Sequence, residues 1–327
     1  MIRPEAADWV ARLRPDAEIT PLAGDASTRR FYRIRQPGAP SVVLVDYGQP
    51  FHGESDDVKL GRIFREAGLP VARPLDMAPE LGCSLVEDLG DTTLERAVRA
   101  GGAAVPALLR SAIDLSVAIA DGGTPVLARS ERSAGPRLDA DRFRFEMDFF
   151  IENYAVALRG THPTAELTTA LHDLADRSAA SPRLILCHRD YHSRNLMVGA
   201  DHGLTMVDIQ DARWGPDTYD LASFVRDPYL NLGEDEDLVA ELVDRYLSSL
   251  AAPPPALEFR LRLHLVAAQR MIKCLGTFGR QVAVLGRARY AEAIPPTARM
   301  LRTVLPRSGS TRSLGELLER QGLLEAS

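Results

Sequence analysis

Lysine is nearly missing from this chain. Of 39 basic residues in 327, only Lys59 and Lys273 are lysines. Chemistry that needs an ammonium therefore has two candidates, and every other fixed cation is an arginine. Cysteine is equally scarce. Cys83, Cys187 and Cys274 are odd in number and widely spaced, which excludes a disulfide framework and a zinc spacing and fits a reducing cytoplasm. Cys187 adjoins His188, but a small buried strand residue is expected there rather than a thiol nucleophile. No uninterrupted apolar run is long enough to span a bilayer, and residues 1–5 lack a signal-peptide pattern. A formal net charge of −6 argues against a nucleic-acid or anionic-membrane partner. The length suits two domains or one large two-lobed unit with ample core.

What is present is concentrated in two segments. Cys187-His188-Arg189-Asp190-Tyr191-His192-Ser193-Arg194-Asn195 is followed by Met206-Val207-Asp208-Ile209-Gln210-Asp211. Asp190 and Asn195 have the H-x-D-x-x-x-x-N spacing of a kinase catalytic loop. Phosphoryl transfer from ATP needs this set: a carboxylate (Asp190) to accept a hydroxyl proton, and an amide and a carboxylate (Asn195, Asp208) to hold Mg2+ against the phosphates. The flanking pattern supports the geometry. The apolar run 183–187 reads as a strand entering the loop. Residues 196–198 and 204–207 read as short strands joined by the turn Gly199-Ala200-Asp201-His202-Gly203. Such a hairpin carries Asp208 back beside Asn195.

The first part of the chain mixes strands with a helix. Strands are expected over 18–22, 30–34, 41–45, 72–75 and 83–86, with a helix from Ser55 to Ala67 whose apolar face is Val58, Leu60, Ile63 and Phe64. After a polar break at Glu87-Asp88-Leu89-Gly90-Asp91 the pattern turns helical. Helices are expected near 92–99, 104–120, 139–158, 164–178, 217–227, 234–250, 256–283, 287–304 and 313–324. The expected fold class is α+β: a bilobal, protein-kinase-like fold with a small strand-rich N-lobe (1–88, hinge at its end) and a large helical C-lobe (89–327).

With both motifs and this layout, the chain resembles the aminoglycoside-phosphotransferase-like kinases, and among them the bacterial anomeric kinases of N-acetylmuramate and N-acetylglucosamine. The resemblance runs over nearly the whole chain. Gly24-Asp25-Ala26-Ser27-Thr28-Arg29-Arg30-Phe31-Tyr32-Arg33, Leu85-Val86-Glu87-Asp88-Leu89-Gly90-Asp91, Asp211-Ala212-Arg213-Trp214-Gly215-Pro216 and Gln269-Arg270-Met271-Ile272-Lys273-Cys274 carry it. It implies Asp190 as catalytic base and Asn195 and Asp208 as magnesium ligands, with His192 a customary loop histidine. Asp208 stands where a protein kinase has the aspartate of D-F-G, here Asp208-Ile209-Gln210 without the glycine. His188 and Asp220 are implied as loop supports. Glu87 and Leu89 lie in the hinge that meets adenine through backbone groups.

Some positions keep two readings. Between the first two strands, Ser27 and Thr28 either contact phosphate or sit in a plain turn without G-x-G-x-x-G; the resemblance favours phosphate. The third strand has no lysine, so Arg29 or Arg30 is expected to offset the nucleotide's charge, with Lys59 a lesser candidate. On the acceptor side, Glu146, His192, Asp211, Arg213 and Trp214 are candidates. An indole offers an apolar plate to a sugar and a guanidinium a partner for a carboxylate, but Trp214 could equally pack a corner and Glu146 sit on a solvated helix face. Arg270 and Lys273, three apart on one helix face, either reach the acceptor or bridge acidic neighbours.

The expected function is an ATP-dependent kinase of the anomeric hydroxyl of an N-acetylated amino sugar, giving an α-1-phosphate for cell-wall sugar recycling. The expected protein is a cytoplasmic monomer with ATP and Mg2+ as cofactors and no nucleic-acid or membrane partner. The rivals are kinases of another small acceptor (glucosamine, another hexose, an amino alcohol, an aminoglycoside) and a nucleotide-binding regulator without catalysis.

Overall fold

A computed structural model describes residues 2–22, 29–307 and 309–325. Helix α1 (Pro4–Leu13) comes first and is absent from the expected elements. Pro4 opens it at a position where a missing N–H costs nothing, and Ala6, Trp9 and Val10 form its buried face. Five antiparallel strands follow in the order β1-β2-β3-β5-β4: β1 (Glu18–Leu22), β2 (Arg30–Arg35), β3 (Val42–Asp46), β4 (Pro74–Ala78) and β5 (Cys83–Glu87). Edge strand β4 is displaced from the expected 72–75, and its register slips between Pro74 and Asp76. Proline cannot donate to a ladder, so it starts an edge strand rather than continuing one.

Alternation along these strands divides the work of the sheet. Tyr32, Ile34, Val42, Leu44 and Leu85 pack with Ala6, Trp9 and Val10 of α1 in a separate small core. The opposite face, with Phe31, Arg33, Val43 and Val45, lines a cleft. The Arg3–Asp46 ion pair, 2.7 Å, closes the α1 side. Helix α2 (Asp56–Glu66) packs its buried Leu60, Ile63 and Phe64 into the main core.

The rest is largely helical. Helices α3 (Leu94–Ala100), α4 (Val105–Ala118), α5 (Thr124–Arg129), α6 (Ala140–Phe150) and α7 (Ala165–Ala179) precede strand β6 (Leu184–Cys187). The hairpin β7 (Leu196–Val198) and β8 (Leu204–Met206) pairs as expected, Leu196 opposite Met206 and Val198 opposite Leu204. Strand β9 (Arg213–Pro216) pairs with β6, which its Gly-Pro ending concealed from a sequence reading. Then come α8 (Tyr219–Val225), α9 (Glu236–Ser249), α10 (Ala256–Gly279), α11 (Ile294–Val304) and α12 (Gly309–Arg320). Helices α4, α6 and α10 each continue into a short π-helical turn, which accounts for the longer helical spans expected there. Among the described residues no helix is long and apolar enough to cross a membrane.

Helix α10 crosses α6 with almost no gap. A Cβ at Gly276 would lie 2.8 Å from Phe150 Cα, and one at Gly279 would lie 2.5 Å from the Asn153 carbonyl oxygen. Both obstacles are backbone, which cannot rotate away. Alanine ordinarily improves a helix by ~1 kcal/mol over glycine. Here overpacking should outweigh that gain, and Gly279→Ala is expected to lower stability by about 1–3 kcal/mol, read as a lower midpoint in urea unfolding with an unchanged slope.

Candidate active site

The loop between β6 and β7 hangs from buried carboxylates. Asp220, in the first turn of α8, accepts the backbone N–H groups of His188 (2.6 Å) and Arg189 (3.0 Å). Asp227 accepts those of Ser193 (2.8 Å) and Tyr229 (2.7 Å). Burial pushes both carboxyls above their usual range, against the opposing pull of these donors. His188 is buried, and its Nε2 lies 2.9 Å from the Val207 carbonyl, tying the loop to the end of the hairpin. Arg189 adopts a left-handed φ of +79°. Its guanidinium pairs with Asp211 at 3.0 Å and Glu146 at 3.6 Å.

This scaffold aims Asp190 into the cleft. Its Oδ1 accepts from Lys273 Nζ at 3.0 Å, and Arg270 lies 3.5 Å from the same oxygen. Among the described residues no hydrogen bond or ion pair engages Oδ2, and the side chain is 26% exposed. Burial pushes the carboxyl up, but Lys273, then Arg270 and Arg189, more than offset this and hold it well below the usual carboxylate range. Asp190 is therefore an ionised acceptor with one oxygen pinned and one open. Asn195 donates its Nδ2 to the Asp190 carbonyl at 2.9 Å, and its own carbonyl accepts from Val207 N–H at 3.0 Å. That contact brings Asn195 to the shoulder of Asp208, which sits at a left-handed φ of +63° after β8. Asp208 accepts from Arg29 at 2.6 Å and Gln210 at 3.0 Å. His192 lies edge-on to Tyr229, with ring centroids 5.4 Å apart, and burial pushes its imidazole down to about 3, so it is neutral.

Asp190, Asn195 and Asp208 thus line one cleft of about 1110 Å³ between the sheet and the helical part. Among the described residues no three His, Cys, Asp or Glu side chains cluster as a metal site. Asn195 and Asp208 are nonetheless the donor set magnesium suits: hard oxygens, few in number, leaving positions for water and phosphate. The cation already drawn to Asp208, the Arg29 guanidinium, marks the same preference for positive charge there.

The remaining expected residues divide by location. Glu87, Leu89, Arg29, Asp211 and His192 line the cleft. Val43, Ala72, Val86, Leu89, Met197 and Met206 give it an apolar slot beside the segment 87–90. Arg30 is exposed and Lys59 half-buried, and neither lines the cleft. Ser27 and Thr28 lie outside the described residues. Glu146 is buried against Gln269 (2.9 Å) beneath Arg189, not on the cleft wall. Arg213 pairs with Asp211 at 2.8 Å, and Trp214 donates to the Ser133 carbonyl at 2.9 Å, where it packs a corner; neither lines the cleft.

Sequence reasoning missed an aromatic wall of the cleft. Tyr229, Phe278 and Tyr290 form a run of edge-on and stacked rings beside Lys273, Cys274 and Thr277. It also missed Asp227. Asp227 follows α8 by two residues and is fully buried, and no local pattern in Arg226-Asp227-Pro228 marked it.

Removing Asp220 should strand two buried backbone donors. Asp220→Ala is expected to cost about 2–4 kcal/mol, and Asp220→Asn, which keeps one acceptor oxygen, about half of that. Chemical denaturation of the two variants measures the difference.

Comparison with known proteins agrees with this geometry. The model of the phosphotransferase enzyme family matches residues 18–259. A Pseudomonas aeruginosa protein named N-acetylmuramate/N-acetylglucosamine kinase is 31% identical over 93% of this chain and 88% of its own length. A Neisseria meningitidis protein of the same name is 28% identical over 95% and 93%. Among solved structures, a Cryptosporidium parvum choline kinase superposes with a TM-score of 0.59 over 98% of both chains at 13% identity. A Plasmodium vivax ethanolamine kinase reaches 0.62 over 93% of this chain and 86% of its own at 12% identity. These likenesses place the fold with the bilobal, protein-kinase-like phosphotransferases. The chain belongs to the phosphotransferase enzyme family and is an ATP-dependent phosphotransferase with a hydroxyl acceptor.

Proposed function

We propose that this protein phosphorylates the anomeric hydroxyl of N-acetylmuramate or N-acetylglucosamine to the α-1-phosphate, in cell-wall sugar recycling. The observation that carries the chemistry is the open Oδ2 of Asp190, ionised and facing the cleft that Asn195 and Asp208 also line. The sugar rests on the shared name of relatives that match most of the chain. An aminoglycoside would want a cleft crowded with carboxylates. The acceptor side instead presents Arg270 and Lys273 beside an aromatic wall, a surface for an uncharged or anionic sugar.

In this reading the N-lobe is 1–88 and the C-lobe 89–327, and the protein works as a monomer in the cytoplasm. Adenine enters the apolar slot and meets backbone groups of Glu87 and Leu89. Ser27, Thr28 and Arg29 attend the phosphates, and Arg29 leaves Asp208 to do so. Asn195 and Asp208 would hold Mg2+, which would neutralise charge on the terminal phosphates. Asp190 Oδ2 orients the acceptor hydroxyl and takes its proton. The low proton affinity of Asp190 suits this acceptor, because an anomeric hydroxyl is more acidic than other sugar hydroxyls and asks less of its base. Asp211 and His192 border the acceptor. Glu146 and Arg213 act from behind, by holding Arg189 and Asp211, while Trp214 packs a corner against Ser133.

The test is ADP release with magnesium-ATP across a panel of amino sugars, hexoses, amino alcohols and aminoglycosides. Release should require N-acetylmuramate or N-acetylglucosamine and vanish with EDTA. Asp190→Ala should reduce it roughly a hundredfold to ten-thousandfold, with the folded state intact by circular dichroism. Nucleotide binding with no release on any acceptor would sink the proposal.

A further inference from the structure

The third strand carries no cation. Val43 and Val45 are its cleft-facing residues. Arg33, which also faces the cleft, is committed to Asp88 at 2.7 Å and Asp91 at 2.8 Å. Besides Arg29, cations that face the cleft beside Asp190 come from α10.

Two cations of α10 share Asp190 Oδ1, but they differ in freedom. Arg270 is pinned: it donates to the Arg189 carbonyl at 3.0 Å and to the Tyr219 hydroxyl at 3.2 Å, and it lies over the Tyr219 ring. The Lys273 ammonium engages Asp190 alone among the described residues. It has three donors, so two are unfilled, and the side chain is 14% exposed at the cleft wall.

We propose that Lys273 is a further catalytic residue, whose ammonium passes from Asp190 Oδ1 to an oxygen of the terminal phosphoryl group and stays on it through the transfer. This rests on Asp190 being the base. A hydroxyl held by Oδ2 sits ~3 Å from it, and the phosphorus it attacks sits a further ~3–3.5 Å away. The phosphoryl oxygens then fall within roughly 6 Å of Asp190, inside the sweep of a flexible four-carbon stem. In the step, the bond from acceptor oxygen to phosphorus forms as the bond from phosphorus to the β–γ bridging oxygen breaks. The electron pair leaves with ADP, the hydroxyl proton goes to Asp190, and Lys273 keeps all of its protons.

The test compares binding of ADP and of a non-hydrolysable ATP analogue in magnesium buffer, by calorimetry, alongside turnover. Lys273→Met should weaken the analogue about tenfold, which is 1.4 kcal/mol, and leave ADP unchanged. It should lower kcat about a hundredfold with a small change in acceptor KM, and Lys273→Arg should recover part of both losses. If Lys273→Met leaves Asp190 uncompensated and the protein unfolds, the neutral pair Lys273→Met with Asp190→Asn should show the same loss of preference for the analogue over Asp190→Asn alone. Equal effects on ADP and analogue, or none, would overturn the proposal and reduce Lys273 to a support for Asp190. Wild-type turnover by Asp190→Asn would instead overturn the base assignment, a result read independently of the binding ratio.

Discussion

One oxygen of one carboxylate organises this molecule. Asp190 Oδ1 meets a lysine and an arginine from α10, a helix 80 residues further along the chain. An ion pair this buried is a weak source of stability, because desolvation consumes most of the Coulomb gain. Its effect is positional. It fixes which Asp190 oxygen is free, and it obliges α10 to lie against the loop. That demand propagates outward to Gly276 and Gly279, where α10 meets the backbone of α6 and its π-helical continuation.

The loop is a strained object held by strong bonds. Arg189 and Asp208 both sit at left-handed φ, and each such residue costs of order 1–3 kcal/mol. Three backbone N–H bonds from the loop to buried Asp220 and Asp227, and the His188 contact to Val207, offset that cost. Because the donors are backbone, the carboxylates constrain chain path rather than any side-chain rotamer. The loop therefore reaches its geometry before any substrate arrives, which is what electrostatic preorganisation requires.

The two sides of the cleft contribute unlike surfaces. The sheet side offers the apolar Phe31, Val43 and Val45, and its Arg33 guanidinium is neutralised by Asp88 and Asp91. The helical side is charged and aromatic. In the proposed reading a flat base suits the first and a phosphoryl group with a sugar suits the second. Arg29 on Asp208 bridges the two sides.

Local pattern was enough for the hairpin, the sheet strands and the spacing of Asp190, Asn195 and Asp208, because these depend on period-2 alternation, turn residues and short loops. Helix α1 escaped notice because nothing in residues 4–13 needs a helix until the sheet offers Trp9 and Val10 a surface. Strand β9 escaped because Trp-Gly-Pro reads as a corner until β6 lies beside it. The acceptor side was the least legible. Glu146 and Trp214 have the right chemistry for a sugar, yet burial beneath Arg189 and against Ser133 keeps them off the cleft wall. Lys273 was legible as one of two lysines, three residues after Arg270, with reaching the acceptor and bridging acidic neighbours left as alternatives. Sequence by itself determined which groups could do phosphoryl chemistry, since that follows from residue type and near-neighbour spacing. Only the tertiary structure decided which cations stand at Asp190, since that depends on where a helix returns after some eighty residues of chain, and no local preference encodes that return.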